Sequence, residues 1–186
     1  MAQYTVGQSA LAHLLFSDKR SAWFWLIIRL YLGYEWLMAG WEKVISPAWV
    51  GEKAGAGLTG FLGGALKKTA EFCQPAPAPC HPDVQMWYAW FVENVALPNA
   101  AIFSYMVAYG ELLVGIALIL GFLVGVSAFF GMFMNLNFML AGSVSINPIW
   151  FTLGLGLLFA WRIAGYIGLD RYALPILSKS LRQRNT

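Results

Sequence analysis

Between Trp23 and Val44 the chain reads WFWLIIRLYLGYEWLMAGWEKV, a run of apolar and aromatic side chains as long as the roughly 20 residues a helix needs to cross a bilayer core. The same run carries Arg29, Glu35, Glu42 and Lys43. An ionisable group near the bilayer centre costs several kcal/mol if it faces lipid, so this stretch is tolerable only if Arg29 and Glu35 turn toward protein or a watered cavity. At 100° per residue Arg29, Gly33, Trp36, Gly40 and Lys43 share one face, while Glu35 and Glu42 share the other. Glu42 and Lys43 lie close enough to the helix end to reach headgroups by snorkelling.

The rest of the chain is consistent with a membrane setting. Of 186 residues 59% are hydrophobic and 11% charged, a balance that excludes a disordered chain and points to an integral membrane protein. The net charge of +3 is not a nucleic-acid signal, because the basic residues gather at the two chain ends rather than in a patch interleaved with exposed aromatics. The first twenty residues lack the layout of a secretory signal. Within them Leu11 to Phe16 reads as a short amphipathic piece on the inner surface, with His13 an ordinary member of it.

Three more apolar stretches follow, so the spans predicted are about 22–44, 100–121, 124–142 and 148–167. The second and third are separated by Gly121, Phe122 and Leu123 alone, which demands a tight antiparallel hairpin. The fold class expected is all-α: an integral membrane four-helix bundle, up-and-down, forming one domain over 1–186. Lys19 and Arg20 precede the first span and five basic residues beginning with Arg162 follow or end the fourth, so both termini are expected in the cytoplasm of a multi-pass cell-membrane protein. The long loop, 45–99, is then extracytoplasmic. In it Leu58, Phe61, Leu62, Ala65 and Leu66 recur at helical spacing, suiting a helix on the membrane surface, and Trp87, Tyr88, Trp90 and Phe91 suit the headgroup level. Cys73 and Cys80 enclose QPAPAP in this loop and are read as one disulfide in an oxidising compartment.

Depth along the helices, at ~1.5 Å per residue, brings Arg29 and Arg162 toward Glu111, with Asn135 beside it and Glu35 and Asn137 further out. Two arginines around one carboxylate leave excess positive potential, suited to a quinone carbonyl or a small anion. The alternative is that these groups lock the helices together. Gly110, Glu111, Gly115, Leu118 and Phe122 share a face, so the side bearing the acid also admits a neighbouring backbone. No haem, flavin or metal ligand set is recognisable.

Arg29-x3-Gly33-x6-Gly40-x2-Lys43 in the first span, Gly110-Glu111-Leu-x2-Gly115-x5-Gly121 in the second and Asn135-x-Asn137-Phe138 in the third resemble the DoxX/DoxD family, over about Ala22 to Ile167. The long loop makes the chain more similar to DoxD. That resemblance implies a membrane redox subunit that oxidises thiosulfate to tetrathionate and passes electrons to a membrane quinone, with a DoxA-like partner subunit. Glu111 and Glu35 are then the expected proton-handling catalytic residues. Arg29, Asn135, Asn137, Arg162, Lys43 and Trp36 are the expected quinone- or substrate-binding residues, and a homo-oligomer is a further expectation. The alternative function is a non-enzymatic membrane bundle acting as a binding, assembly or transport partner.

Overall fold

A computed structural model describes residues 9–73 and 82–183, the last seven as backbone alone. The described residues form α1 (Ala10–Phe16), a 3-10 turn (Lys19–Ser21), α2 (Ala22–Val44), α3 (Ala56–Leu66), α4 (Met86–Phe91) running into a π-helical turn (Val92–Ala96), α5 (Ala100–Leu120), α6 (Val124–Leu140), α7 (Asn147–Phe159), α8 (Trp161–Ala164) and α9 (Asp170–Gln183). The all-α expectation holds. Among the described residues the sole strand-like feature is an isolated parallel bridge between Thr69 and Val84.

α2 and α5 make the most extensive contact, and glycine is the reason. A Cβ at Gly40 would overlap the backbone of Leu112, one at Gly115 would overlap Leu37, and one at Gly33 would stand 3.0 Å from the Ile119 nitrogen. Small residues of this kind let two helix backbones approach in the absence of any hydrophobic drive from solvent. The pairs Gly33 with Ile119 and Gly40 with Leu112 also fix an antiparallel register. α6 and α7 are antiparallel too, with Asn135 bonded to Asn147 and Gly154 against Met132.

Both turns of the central hairpins are made by left-handed glycines. Gly121 (φ 66°) follows α5, with Phe122 N–H donating to Ala117 and Gly121 N–H to Leu118. Gly142 (φ 73°) follows α6, with Ser143 N–H donating to Phe138 and Gly142 N–H to Met139. Each satisfies the last carbonyls of its helix in the Schellman pattern, and each needs a residue without a Cβ penalty. The third helix therefore ends at Leu140, two residues short of the expected boundary.

The fourth expected span, 148–167, is not one helix. α7 stops at Phe159, α8 at Ala164, and Arg29 takes the carbonyls of Ala164 and Ile167, each at 2.8 Å. Carbonyls held by a guanidinium in this way are ones a continuing helix would have used. The basic tail expected after this span is instead the helix α9. By length and composition α5 is long and apolar enough to cross a membrane. α2, at 23 residues, carries the four ionisable groups named above, while α6 and α7 have 17 and 13 residues.

Two apolar cores result. The first joins α2, α5, α6, α7 and α8 through Leu32, Trp36, Leu118, Val124, Leu157 and Ile163. The second lies at the loop end and joins Leu58, Leu62, Ala65, Val84, Tyr88 and Val92 to Ala141. The face of α3 read as lying on lipid is thus largely inside a protein core, which it shares with α4, the π-helical turn and α5. Trp87 and Trp90 are exposed as expected, whereas Tyr88 is 4% exposed and buried in that core. α1 is pinned to α2 by Trp25 Nε1 donating to the Leu15 carbonyl at 2.7 Å.

Candidate functional site

Glu111 occupies the middle of α5 and is 1% exposed. Its Oε2 accepts a hydrogen bond from Lys43 Nζ at 2.6 Å. The same ammonium donates to the Ala39 carbonyl at 3.3 Å and lies 5.2 Å from the centre of the Trp49 ring. Trp49 is held in turn by its carbonyl, which accepts from Ser104 Oγ at 2.7 Å. The pair is thus a carboxylate sealed inside the helices and a cation with a partly open side, bordered by an indole.

Helical side-chain direction explains the pairing. Every Cα–Cβ bond leans toward its helix N-terminus. Since Gly40 faces Leu112 in an antiparallel pair, Lys43 stands level with Tyr109, two residues from Glu111. Lys43 leans down α2 while Glu111 leans the opposite way along α5, so the two converge. Lys43 thus turns into the helix pair to meet Glu111 and does not reach for the headgroups as expected.

The same register removes Arg29 from this site. Gly33 is level with Ile119, so Arg29 is level with Leu123, twelve residues and roughly 18 Å of helix rise from Glu111. α2 extends past the end of α5, an offset that counting from span ends does not reveal. Arg29 is 1% exposed and bonded to the carbonyls of Ala164 and Ile167, with its Nε lacking a partner among the described residues. Gly121 and Gly168 press against it, and the nearby acid acting on its charge is Asp170. Arg162 also departs from expectation. It is exposed and stacks on Trp161, 5.0 Å from the ring centre.

Asp170 was not singled out from sequence. It is 1% exposed, and its two oxygens accept from Leu123 N–H at 2.6 Å and Val124 N–H at 2.9 Å. It thus caps α6 from the start of α9, the negative charge sitting at the positive end of a helix. The Leu-Asp after the closing glycines was its sole signal, and a cap supplied from another helix leaves no local spacing to read.

Asn135 is 1% exposed and sits near Glu111 in height, but it bonds across to α7: its Nδ2 donates to Asn147 Oδ1 at 3.0 Å, while its Oδ1 has no partner. It lines a cavity of about 10 Å³ with Trp36, Leu118, Gly131, Trp150 and Leu157. Trp36 is 4% exposed and packs its ring 6.0 Å from that of Trp150. Asn137 belongs elsewhere. Its carbonyl accepts from Tyr88 Oη at 3.0 Å, tying α4 to α6. Glu35 is half-buried, with no bond to it among the described residues. Cys80 lies outside the described residues, so the Cys73–Cys80 bridge expected from sequence does too. Among the described residues no cluster of three or more His, Cys, Asp or Glu suits a metal ion.

A sequence model of the family described as DoxX matches residues 24–143. No curated protein and no solved structure matches the chain. The match covers more than half of the chain and includes α5, α6, all but the first two residues of α2, the loop between α2 and α5, and both members of the Lys43–Glu111 pair. The chain belongs to the DoxX family, and it is a membrane protein of that family.

Proposed function

We propose that this DoxX-family chain is a multi-pass redox subunit acting like DoxD, which oxidises thiosulfate to tetrathionate and delivers the electrons to a membrane quinone. The observation that carries this reading is the Lys43–Glu111 pair: a carboxylate 1% exposed, bonded at 2.6 Å to a lysine that keeps a partly open side. Two thiosulfates joining as tetrathionate release two electrons, and a quinone taking them up also needs two protons. Glu111 is suited to pass a proton, with Lys43 holding its charge between transfers. Asn135 and Trp36 are the polar-bearing members of a cavity lining between the helices. Arg29 and Arg162 have no place in this version of the site.

The cavity beside Asn135, about 10 Å³, is far below the roughly 300 Å³ at which small-molecule pockets begin. A quinone head group therefore enters, in this reading, by parting α2 from α7 where Trp150 Nε1 meets Tyr31 Oη at 3.3 Å. The up-and-down bundle with cytoplasmic termini is supported by Lys19 and Arg171, from opposite ends of the chain, both lying over Tyr166 at 5.1 and 5.4 Å. Basic flanks gathered at one end fit a cytoplasmic face. The loop of α3 and α4 is then extracytoplasmic, where Cys73 and Cys80 can form their disulfide; a gel shift on reduction, lost in Cys73→Ser, checks it.

The same small cavity, together with the internal bonding of Arg29 and Glu111, favours a second reading: a non-enzymatic bundle serving as a binding, assembly or transport partner. One experiment separates them. Purified protein, alone and with a DoxA-like partner subunit, is given thiosulfate and an oxidised quinone analogue, and quinone absorbance is followed. Thiosulfate-dependent reduction supports the redox reading, and no reduction under either condition leaves the second.

A further inference from the structure

The Asn135 side chain has its amide orientation dictated by a chain of bonds. Asn147 Nδ2 donates to the Ser143 carbonyl at 2.6 Å and approaches Ser143 Oγ at 3.3 Å. The carbonyl can only accept, so Asn147 must present its nitrogen to it and its oxygen to Asn135. Asn135 must answer with its nitrogen, at 3.0 Å. The atom left over is Oδ1, an acceptor with no donor, fully buried. An unmet buried carbonyl costs about 1–3 kcal/mol.

The cavity that Asn135 lines, about 10 Å³, is the room that roughly one water-sized group requires. Trp36 lines it as well, and its Nε1 is 3.4 Å from where a Cβ of Gly131 would stand. That indole N–H finds no acceptor among the described residues. The cavity is thus bordered by one residue that holds an acceptor without a donor and by another that holds a donor without an acceptor.

We propose that Asn135 and Trp36 form a binding site for a single O–H group, which donates to Asn135 Oδ1 and accepts from Trp36 Nε1. A quinone carbonyl, which has no hydrogen to give, does not satisfy Asn135; a hydroxyl does. The hydroxyl comes from a buried water or from a phenol or hydroquinone entering between α2 and α7. The site rests on its own geometry, so a resident water leaves the redox reading standing, and failure of thiosulfate-dependent reduction leaves the site standing.

The test is a high-resolution structure of the full chain in lipid nanodiscs, with thermal unfolding measured against a short-chain hydroquinone and its dimethyl ether. An isolated oxygen about 3 Å from Asn135 Oδ1, with no shift from hydroquinone, supports the site and assigns it to water. A ring at that position, with a melting temperature raised by about 5 °C or more at a hundredfold excess over the dissociation constant by hydroquinone and not by the ether, supports it and assigns the phenolic hydroxyl. Asn135→Leu removes the acceptor. Gly131→Ala narrows the cavity while leaving the Asn135–Asn147 bond in place, so it serves where Asn135→Leu does not fold. Either variant is expected to lose the oxygen or the hydroquinone shift. No oxygen near Oδ1 together with no shift, equal shifts from hydroquinone and ether, or an effect retained in both variants overturns the proposal.

Discussion

Removing Lys43 strands a carboxylate. In Lys43→Met the Glu111 side chain, 1% exposed, loses its 2.6 Å partner and has no route to water. Breaking a buried pair from one side costs about 3–5 kcal/mol, and that is the expected loss. The reverse change is milder. Lys43 is 21% exposed on its side chain and can stay hydrated beside Trp49. Glu111→Gln also keeps an oxygen for it, so the loss is about 1 kcal/mol. The double variant carries no stranded charge, only an amide short of partners, at about 1–3 kcal/mol. It is therefore more stable than the sum of the single losses implies, by about 1–5 kcal/mol. Reversible unfolding in mixed detergent micelles, read by far-ultraviolet circular dichroism, measures all three. A loss below about 1 kcal/mol for Lys43→Met, or simple additivity in the double variant, would refute the reasoning.

Gly40→Ala is expected to push α2 from α5, because its Cβ meets the Leu112 backbone rather than a movable side chain; a loss of about 1–3 kcal/mol and weaker amide protection along both helices should be seen by hydrogen exchange. Asp170→Asn removes a charged cap from Leu123 and Val124 and should cost about 0.5–2 kcal/mol, with earlier exchange at the start of α6. Tyr88, outside the long helices, has its phenol pushed up to about 12 from 10.0 by burial. The folded state therefore favours the neutral phenol: its contribution is complete below pH 10 and lost as pH rises toward 12. Tyr88→Phe should cost about 1 kcal/mol near neutrality through the bond to Asn137, yet flatten the fall in stability with rising pH above 10, as pH-dependent unfolding would show.

How much of this was legible in the sequence depended on whether the signal was local. The run Trp23–Val44 set the limits of α2 within a residue, and its inward face of Arg29, Gly33, Trp36 and Gly40 is buried as 3.6-residue periodicity requires. Gly33, Gly40 and Gly115 marked the α2–α5 seam for the same reason. Register between helices was not legible. Span ends placed Arg29 next to Glu111, whereas Gly40 against Leu112 sets them twelve residues apart. Side-chain lean then brought Lys43 to the acid in place of Arg29. The fourth span looked continuous because its apolar run has no breaker at Ala160 or Ala164. The terminator after Ala164 is Arg29, 135 residues away in sequence from the carbonyl it takes, while the break at Ala160 has no such partner among the described residues. The Asp170 cap was hidden in the same way, its partners lying 46 and 47 residues back.

The proposed proton-transfer role of Glu111 stands against a purely structural one, that of holding helices together. Quinone reduction driven by thiosulfate, measured per folded molecule in nanodiscs for the unaltered chain and for Glu111→Gln, addresses that directly. With the fold retained, turnover should fall by about 100-fold or more, the scale of a lost proton-transfer group. Turnover unchanged in Glu111→Gln, with reduced thermal stability as the one effect of the substitution, would contradict it.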